Sequence, residues 1–237
     1  MTKRLFLDDG YLRECEAEVQ SVKDGRFVVL DQTVFYPRGG GQPHDTGKIL
    51  RADEEFNVVF TGNFEGQVSH ELEREGLREG DRVRCVLDWE RRHMLMRMHT
   101  AAHVLAAIMH RELGALITGN QLEAGKSRFD FNLEDFEREK FEDAVKKAND
   151  ALAQDLEPKA YTLPREEAMK IPGVVKLASA LPPDIPELRI VEIPGLDMQA
   201  DGGTHVRNLK EVGKIGILKL ENKGKNNRRV YFTLASN

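Results

Sequence analysis

The chain has 237 residues, of which 40% are hydrophobic and 32% charged, and carries a formal net charge of −5. That length can bury one large core or two small ones. Its two cysteines, Cys15 and Cys85, sit at no metal-ligand or redox spacing, which argues against a disulfide framework and for a reducing cytoplasm. The N-terminal segment lacks the apolar run of a signal peptide, and no stretch approaches about 18 apolar residues, so secretion and a membrane partner are not expected.

Residues 1–88 read as β-rich. Phe27–Leu30, Asn57–Phe60 and Arg82–Leu87 are short β-branched or apolar runs, with turn signals at Asp24-Gly25, Gly62-Asn63 and Gly80-Asp81. This spacing suits a small barrel or a compact antiparallel domain. The period changes near Trp89. From Arg91 to Leu113, Leu95, Met98, Ala102, Leu105 and Met109 recur at helical intervals, and Gly114 is a natural stop. A second helix is predicted over about 133–156, with Asn132 as N-cap, Asp135 in its first turn and a stripe of Phe141, Val145, Ala148, Leu152 and Leu156. Pro158 and Pro164 close that region, and Leu181–Pro186 reads as loop or extended chain. Strands are predicted at Val191–Ile193, Ile215–Leu220 and Arg229–Leu234, so the second half is α+β.

The net negative charge is unevenly spread. Between Arg207 and Arg229 stand eight basic residues and two acidic ones. A local basic surface bears on nucleic-acid binding more than the sum does, although a strand pair with lysines on its wet face reads the same way.

Three segments could carry chemistry. His99 and His103, four apart on the first helix, project from one face and can share a metal ion or serve the structure alone; His93 and His110 do not repeat that spacing as neatly. Asp201-Gly202-Gly203-Thr204-His205 contains two glycines that allow a tight turn at positive φ, bringing Asp201 and His205 to one point. With the helical pair they would offer four ligands; an Asx-type turn joining two strands is the other reading. Phe35–Pro43 sets Gly39, Gly40, Gly41 and Gln42 between two prolines. It could cradle a phosphate or be a connector, but does not match the phosphate-loop pattern.

Together, FYPRGGGQPHDTG at 35–47, DWERRHMLMRMHTAAHVL at 88–105, SRFDFN at 127–132, MQADGGTHV at 198–206 and the ENKGKNNRRVYFTL ending at 221–234 resemble the alanyl-tRNA editing family. These are free-standing relatives of the editing domain of alanyl-tRNA synthetase, and the likeness is to the medium-length form. It spans essentially the whole chain. It implies an α+β protein, with a small β-barrel-like domain at 1–88 carrying the glycine-rich loop. An α+β zinc-binding editing domain at 89–237, its helices packed on an antiparallel sheet, would follow. It implies one zinc ion per chain held by His99, His103 and His205. The family motif opens on a zinc-ligating cysteine where this chain has Asp201, so Asp201 is a ligand by inference, and solvent is the alternative. Aspartate can ligate zinc through oxygen, as a harder and more exchangeable ligand than thiolate.

The resemblance further implies a cytoplasmic hydrolase that cleaves the ester of alanine tRNA carrying serine, or else glycine. Catalysis is expected from zinc-bound water, with no protein nucleophile. Gly39, Gly40, Gly41, Gln42, Thr100, Gly202, Gly203 and Thr204 are the expected substrate contacts. Lys223, Lys225, Arg228 and Arg229 are expected to meet the tRNA. A non-catalytic tRNA-binding relative, a zinc-dependent hydrolase of another ester, and a synthetase fragment are the competing readings. The last is disfavoured because the chain has no room for a complete aminoacylation core.

Overall fold

Apolar and polar residues alternate along the first unit, Met1–Leu95, and that alternation gives it an inside and an outside. In the computed structural model, which describes residues 1–133, 136–172, 174 and 185–235, this unit contains β1 (Lys3–Arg4), α1 (Leu5–Asp8), β2 (Glu14–Lys23), β3 (Phe27–Leu30), β4 (Gln32–Thr33), β5 (Gly47–Arg51), β6 (Glu54–Phe64), β7 (Gln67–Leu72) and β8 (Arg82–Leu87). Six of them close a barrel in the order β2-β3-β7-β6-β5-β8, antiparallel at every pairing. On β2 and β8 the inward residues are Ala17, Val19, Val83, Cys85 and Leu87. Outward, Glu16 stands opposite Arg84 and Glu18 opposite Arg82, so facing charges are complementary. The barrel expected from the sequence is present.

Its turns follow the glycines only in part. Asp24 and Gly25 take positive φ between β2 and β3, and Gly80 does so before β8. Gly62-Asn63 makes no turn: both lie inside β6, and the chain reverses at Glu65-Gly66, both at positive φ.

The second unit is Met96–Asn237. Helix α2 (Trp89–Leu113) starts in the first unit and runs into it. Gly114 follows at φ +65, its amide on the His110 carbonyl, as a helix stop requires. A four-stranded antiparallel sheet has the order β14-β15-β10-β9, from β9 (Leu116–Gln121), β10 (Ser127–Asn132), β14 (Ile215–Asn222) and β15 (Arg228–Leu234). Phe129, Phe131, Val230 and Phe232 fill its inner face. A second sheet joins β11 (Lys159–Pro164), β12 (Glu187–Ile193) and β13 (Asp197–Ala200), and α4 (Arg165–Ala168) follows β11.

Helix α3 (Arg138–Leu152) is shorter than the predicted span. Its N-cap is Glu137, because Asn132 ends β10 and its Oδ1 accepts the Leu116 amide at 2.6 Å. Leu156 lies beyond the helix, with its carbonyl on the Leu209 amide. The Phe141, Ala148 and Leu152 stripe is buried. Asn149 ties α3 to the sheet through two hydrogen bonds with the Ile215 backbone, at 2.8 and 3.0 Å. Asp135 and most of Leu181–Pro186 lie outside the described residues. No helix among the described residues is long and apolar enough to cross a membrane.

Candidate metal centre

Helix α2 places His99 and His103 one turn apart on a buried face. The chain leaving β13 brings back Asp201 and His205, and the ligand atoms of all four lie within 4.8 Å of one another. The imidazole centroids are 4.4 to 4.9 Å apart. The Asp201 carboxylate faces two of them, with Oδ2 2.9 Å from His205 Nε2 and Oδ1 3.7 Å from His99 Nε2.

The far ring nitrogens of His103 and His205 have protein partners. His103 Nδ1 meets Asp197 Oδ2 at 3.0 Å, and His205 Nδ1 meets Thr100 Oγ1 at 3.1 Å. That hydroxyl also accepts the Val206 amide at 3.3 Å. The Gln199 amide nitrogen lies 2.9 Å from His103 Nε2 and 3.0 Å from Asp197 Oδ2. Arg189 clamps the turn from outside, donating to the carbonyls of Asp201 and Gly203 at 3.0 Å each. Inside the turn, Asp201 Oδ2 accepts the Gly203 amide at 2.9 Å. The turn needs no left-handed glycine: neither Gly202 nor Gly203 takes positive φ, contrary to the sequence expectation.

Burial sets the protonation. Desolvation pushes His99 well below the usual imidazole range and His205 down to about 4, against the pull of Asp201. Burial pushes the Asp201 carboxyl up, but the neighbouring His99 and the hydrogen bond from His205 outweigh it and hold the group well below the usual carboxylate range. Burial thus favours deprotonated His99 and His205, and the neighbours favour ionised Asp201, the directions in which these groups ligate metal. A tetrahedral ion with bonds of about 2.1 Å needs donors about 3.4 Å apart, which small inward shifts from this arrangement supply. The donor set, three nitrogens and a carboxylate oxygen, fits zinc.

The other expected contacts fall into three groups. Thr100 bonds His205 and the Gly203 amide bonds Asp201, while Gly202 and Thr204 belong to the same Asp201–His205 segment; Thr100 and Thr204 are buried. Gly39 to Gln42 belong to the barrel unit and form a tight turn: Gly39 and Gln42 exchange both backbone hydrogen bonds, at 2.9 and 3.2 Å, around Gly40 and Gly41 at positive φ. A two-residue turn of this hand needs glycine-like residues at both central positions. Asp45 anchors the segment, accepting the Tyr36 amide at 2.6 Å and the guanidinium of Arg92, with both side chains wholly buried. The last group sits around the β14–β15 turn. Lys223 pairs with Glu221 at 2.9 Å, and Lys225 is exposed. Arg228 donates to Asn222 and the Gly224 carbonyl, and Arg229 makes two bonds to Asp130 at 2.6 and 2.9 Å.

Sequence reasoning missed Asp197, Gln199, Arg189 and the Asp45–Arg92 pair. Asp197 and Gln199 carried a usable signal: two polar residues alternating on a short strand just before the Asp201 turn.

Comparison with known proteins covers both units. The family model described as tRNA synthetases class II (A) matches residues 7–91. The one described as Threonyl and Alanyl tRNA synthetase second additional domain matches 188–231, which holds Asp201 and His205 but not the α2 histidines. The alanyl-tRNA editing protein AlaX-M of Methanosarcina barkeri is 50% identical over 99% of each chain. That of Saccharolobus solfataricus is 45% identical over the same shares. The alanine–tRNA ligase of Pyrobaculum neutrophilum is 40% identical over 93% of this chain, which spans 25% of that protein.

Proposed function

The chain belongs to the alanyl-tRNA editing protein family, and from that membership we propose that it is a cytoplasmic hydrolase, dependent on one zinc ion, that deacylates alanine tRNA carrying the wrong amino acid. The observation that carries this reading is the nearly dry cluster of His99, His103 and His205 around the Asp201 carboxylate. Seryl-tRNA is the first substrate and glycyl-tRNA the second. A pocket for alanine cannot strongly exclude either, since one methylene or an added hydroxyl changes binding by only about 1–3 kcal/mol.

In this mechanism His99, His103 and His205 would hold the metal, His103 and His205 through Nε2, since their Nδ1 atoms meet Asp197 and Thr100. Asp201 serves twice: Oδ2 shapes the turn through the Gly203 amide, and both oxygens face the cluster, Oδ2 toward His205 and Oδ1 toward His99. Zinc supplies Lewis acidity toward the ester carbonyl. Thr100 acts as a positioning residue for His205, since its oxygen is engaged by His205 and Val206. Gln199, half-buried beside His103, is the side chain best placed to meet a substrate polar group. Cys15 and Cys85 lie in the barrel, so neither is assigned as nucleophile. Gly39 to Gln42 are assigned to substrate selection. Lys223, Lys225 and Arg228 are assigned to the tRNA backbone, whereas Arg229, expected there from the sequence, is held by its two bonds to Asp130; the division of labour is 1–88 for the first role and 89–237 for the metal.

The test is hydrolysis of alanine tRNA charged with serine, glycine or alanine, with and without a chelator. Seryl ester should be cleaved fastest, alanyl ester poorly, and activity should vanish with chelator and return with zinc. Equal rates on all three esters, or full activity in metal-free protein, would sink the reading.

A further inference from the structure

The four-stranded sheet of the second unit has a second face, opposite the phenylalanine core. Strand parity puts Lys219, Tyr231, Arg128 and Gln121 in one row across β14, β15, β10 and β9. Glu221, Arg229, Asp130 and Gly119 form the next row. Lys219 and Gln121 are exposed, and Tyr231 and Arg128 half-buried. The two rows differ in charge. In the second, Arg229 is bound to Asp130 by two hydrogen bonds and its charge is matched.

The first row is cationic around an aromatic ring. Lys219 and Arg128 are the direct cross-strand neighbours of Tyr231, one on each side at about a strand spacing of 4.8 Å. Exposed Lys126 stands over the ring, its ammonium 4.3 Å from the centroid. Lys219 pairs with Glu221 at 2.5 Å, yet its side chain is 63% exposed. No described carboxylate lies within ion-pair distance of Lys126 or Arg128. The Arg128 Nε is buried without a hydrogen-bond partner, a rare state for a guanidinium donor unless a ligand completes it.

We propose that this face binds an unpaired stretch of RNA, with a base stacked on Tyr231 and the flanking phosphates held by Lys126, Arg128 and Lys219. The source of that RNA, the single-stranded end of a charged tRNA, rests on the function proposed above. An aromatic ring flanked by cations on an open antiparallel sheet suits single strands, because every base has a face to stack and the cations follow the backbone. A duplex hides its bases and offers only phosphates. A protein partner fits less well, since the centre of the face is charged and the exposed Leu116 and Leu218 lie on the two edge strands, β9 and β14. Lys126, on the exposed turn before β10, is the flexible element that a base would move from the ring to its own phosphate.

Fluorescence anisotropy with a labelled, unstructured RNA dodecamer and with a blunt RNA duplex of equal length tests the proposal on the intact protein. The single strand should bind more tightly. Tyr231→Ala should weaken it on the order of ten-fold, while Tyr231→Phe should stay close to wild type and so controls for folding. Arg128→Gln and Lys219→Gln should each shallow the log-affinity against log-salt slope by about 0.7, which keeps the test decisive if Tyr231→Ala fails to fold. Single-strand affinity unchanged in Tyr231→Ala, with both slopes unchanged, would overturn the proposal. So would a concentration-dependent dimer that Tyr231→Ala abolishes, because the face would then belong to a second copy. Hydrolysis of seryl-tRNA read alongside separates the two ideas. Oligomer binding that depends on Tyr231 in a protein that cleaves no ester sinks the enzyme reading alone. Normal cleavage with an unchanged KM in Tyr231→Ala sinks the platform alone.

Discussion

Asp45→Ala should be among the most damaging single changes in the barrel unit. Both Asp45 and Arg92 are wholly buried. The guanidinium donates to both carboxylate oxygens, with Nε at 3.0 and 3.1 Å, and Arg92 also reaches the Val34 carbonyl at 2.7 Å and the Gly10 carbonyl at 2.9 Å. Alanine leaves a buried cation with two neutral acceptors, and breaking such a pair costs about 3–5 kcal/mol. The Tyr36 amide also loses its acceptor, so the upper end of that range is expected. Trp89 is the sole tryptophan of the chain and lies in this unit, so its emission follows the relevant transition in urea. With a slope of about 2 kcal/mol per molar, the midpoint should fall by about 2 M. The Asp45→Ala/Arg92→Met double variant should recover part of the loss, since no unpaired charge remains. A loss below about 1 kcal/mol in the single variant, or a double variant no more stable than the single, would refute the argument.

Three further outcomes are expected. His70 is buried between Thr33 Oγ1 at 2.9 Å and the Val28 carbonyl at 3.0 Å, and burial, only partly opposed by that carbonyl, pushes its pKa down to about 4. The unfolded chain, at 6.5, therefore takes up the proton first. Stability is full above about pH 6.5 and falls by about 3 kcal/mol as pH drops to 4. His70→Gln should flatten that part of the profile, and parallel profiles for the two proteins would exclude the assignment. Asp197→Ala should weaken zinc binding about 10- to 100-fold by freeing His103 to turn. A chelator competition giving the wild-type value would reduce Asp197 to a structural role. Asp201→Ala should weaken zinc retention and Asp201→Cys keep or tighten it; native affinity in the alanine variant would leave three histidines and solvent as the ligand set.

His99 and His103 were legible as a pair because helical spacing is a strict geometric code: residues four apart share a face whatever surrounds them. The barrel was legible in its runs but not in its turns. Gly62 suggests a reversal, yet the strand continues to Phe64 because Gly62, Asn63 and Phe64 still pair with Ser69, Val68 and Gln67 of β7. Asn132 suggests a helix cap by its chemistry, but the same oxygen can hold a neighbouring strand, and Leu116 claims it. Strands β9 and β10 escaped notice as strands because Gly119 and Asp130 interrupt the alternation. They face each other across the pair, where a side chain on Gly119 would come within 3.2 Å of the Asp130 carboxylate. The bare glycine leaves room for the Asp130–Arg229 pair, an arrangement that no single segment shows.

Helix α2 shows how one half of the candidate site calls for the other. From Leu95 to Met109 every residue is buried except Arg97 and Ala107, which are half-buried, so this stretch has no wet face. A polar side chain there must be satisfied from within the protein. His99, Thr100 and His103 interrupt the apolar run, and the need for polar partners is therefore written in the helix itself. The identity of those partners is not, because Asp197, Asp201 and His205 arrive from about one hundred residues away. The spacing within Asp197, Gln199 and Asp201 is two, that of a strand, and it brings alternate side chains to one face. Without Asp201 the three imidazoles would have no anionic donor beside them. With it, one of the four donors is a carboxylate held well below the usual range. A cysteine thiolate would bring the same formal charge. The aspartate thus preserves the charge balance of the site and changes only the softness of one ligand and the reach of its side chain.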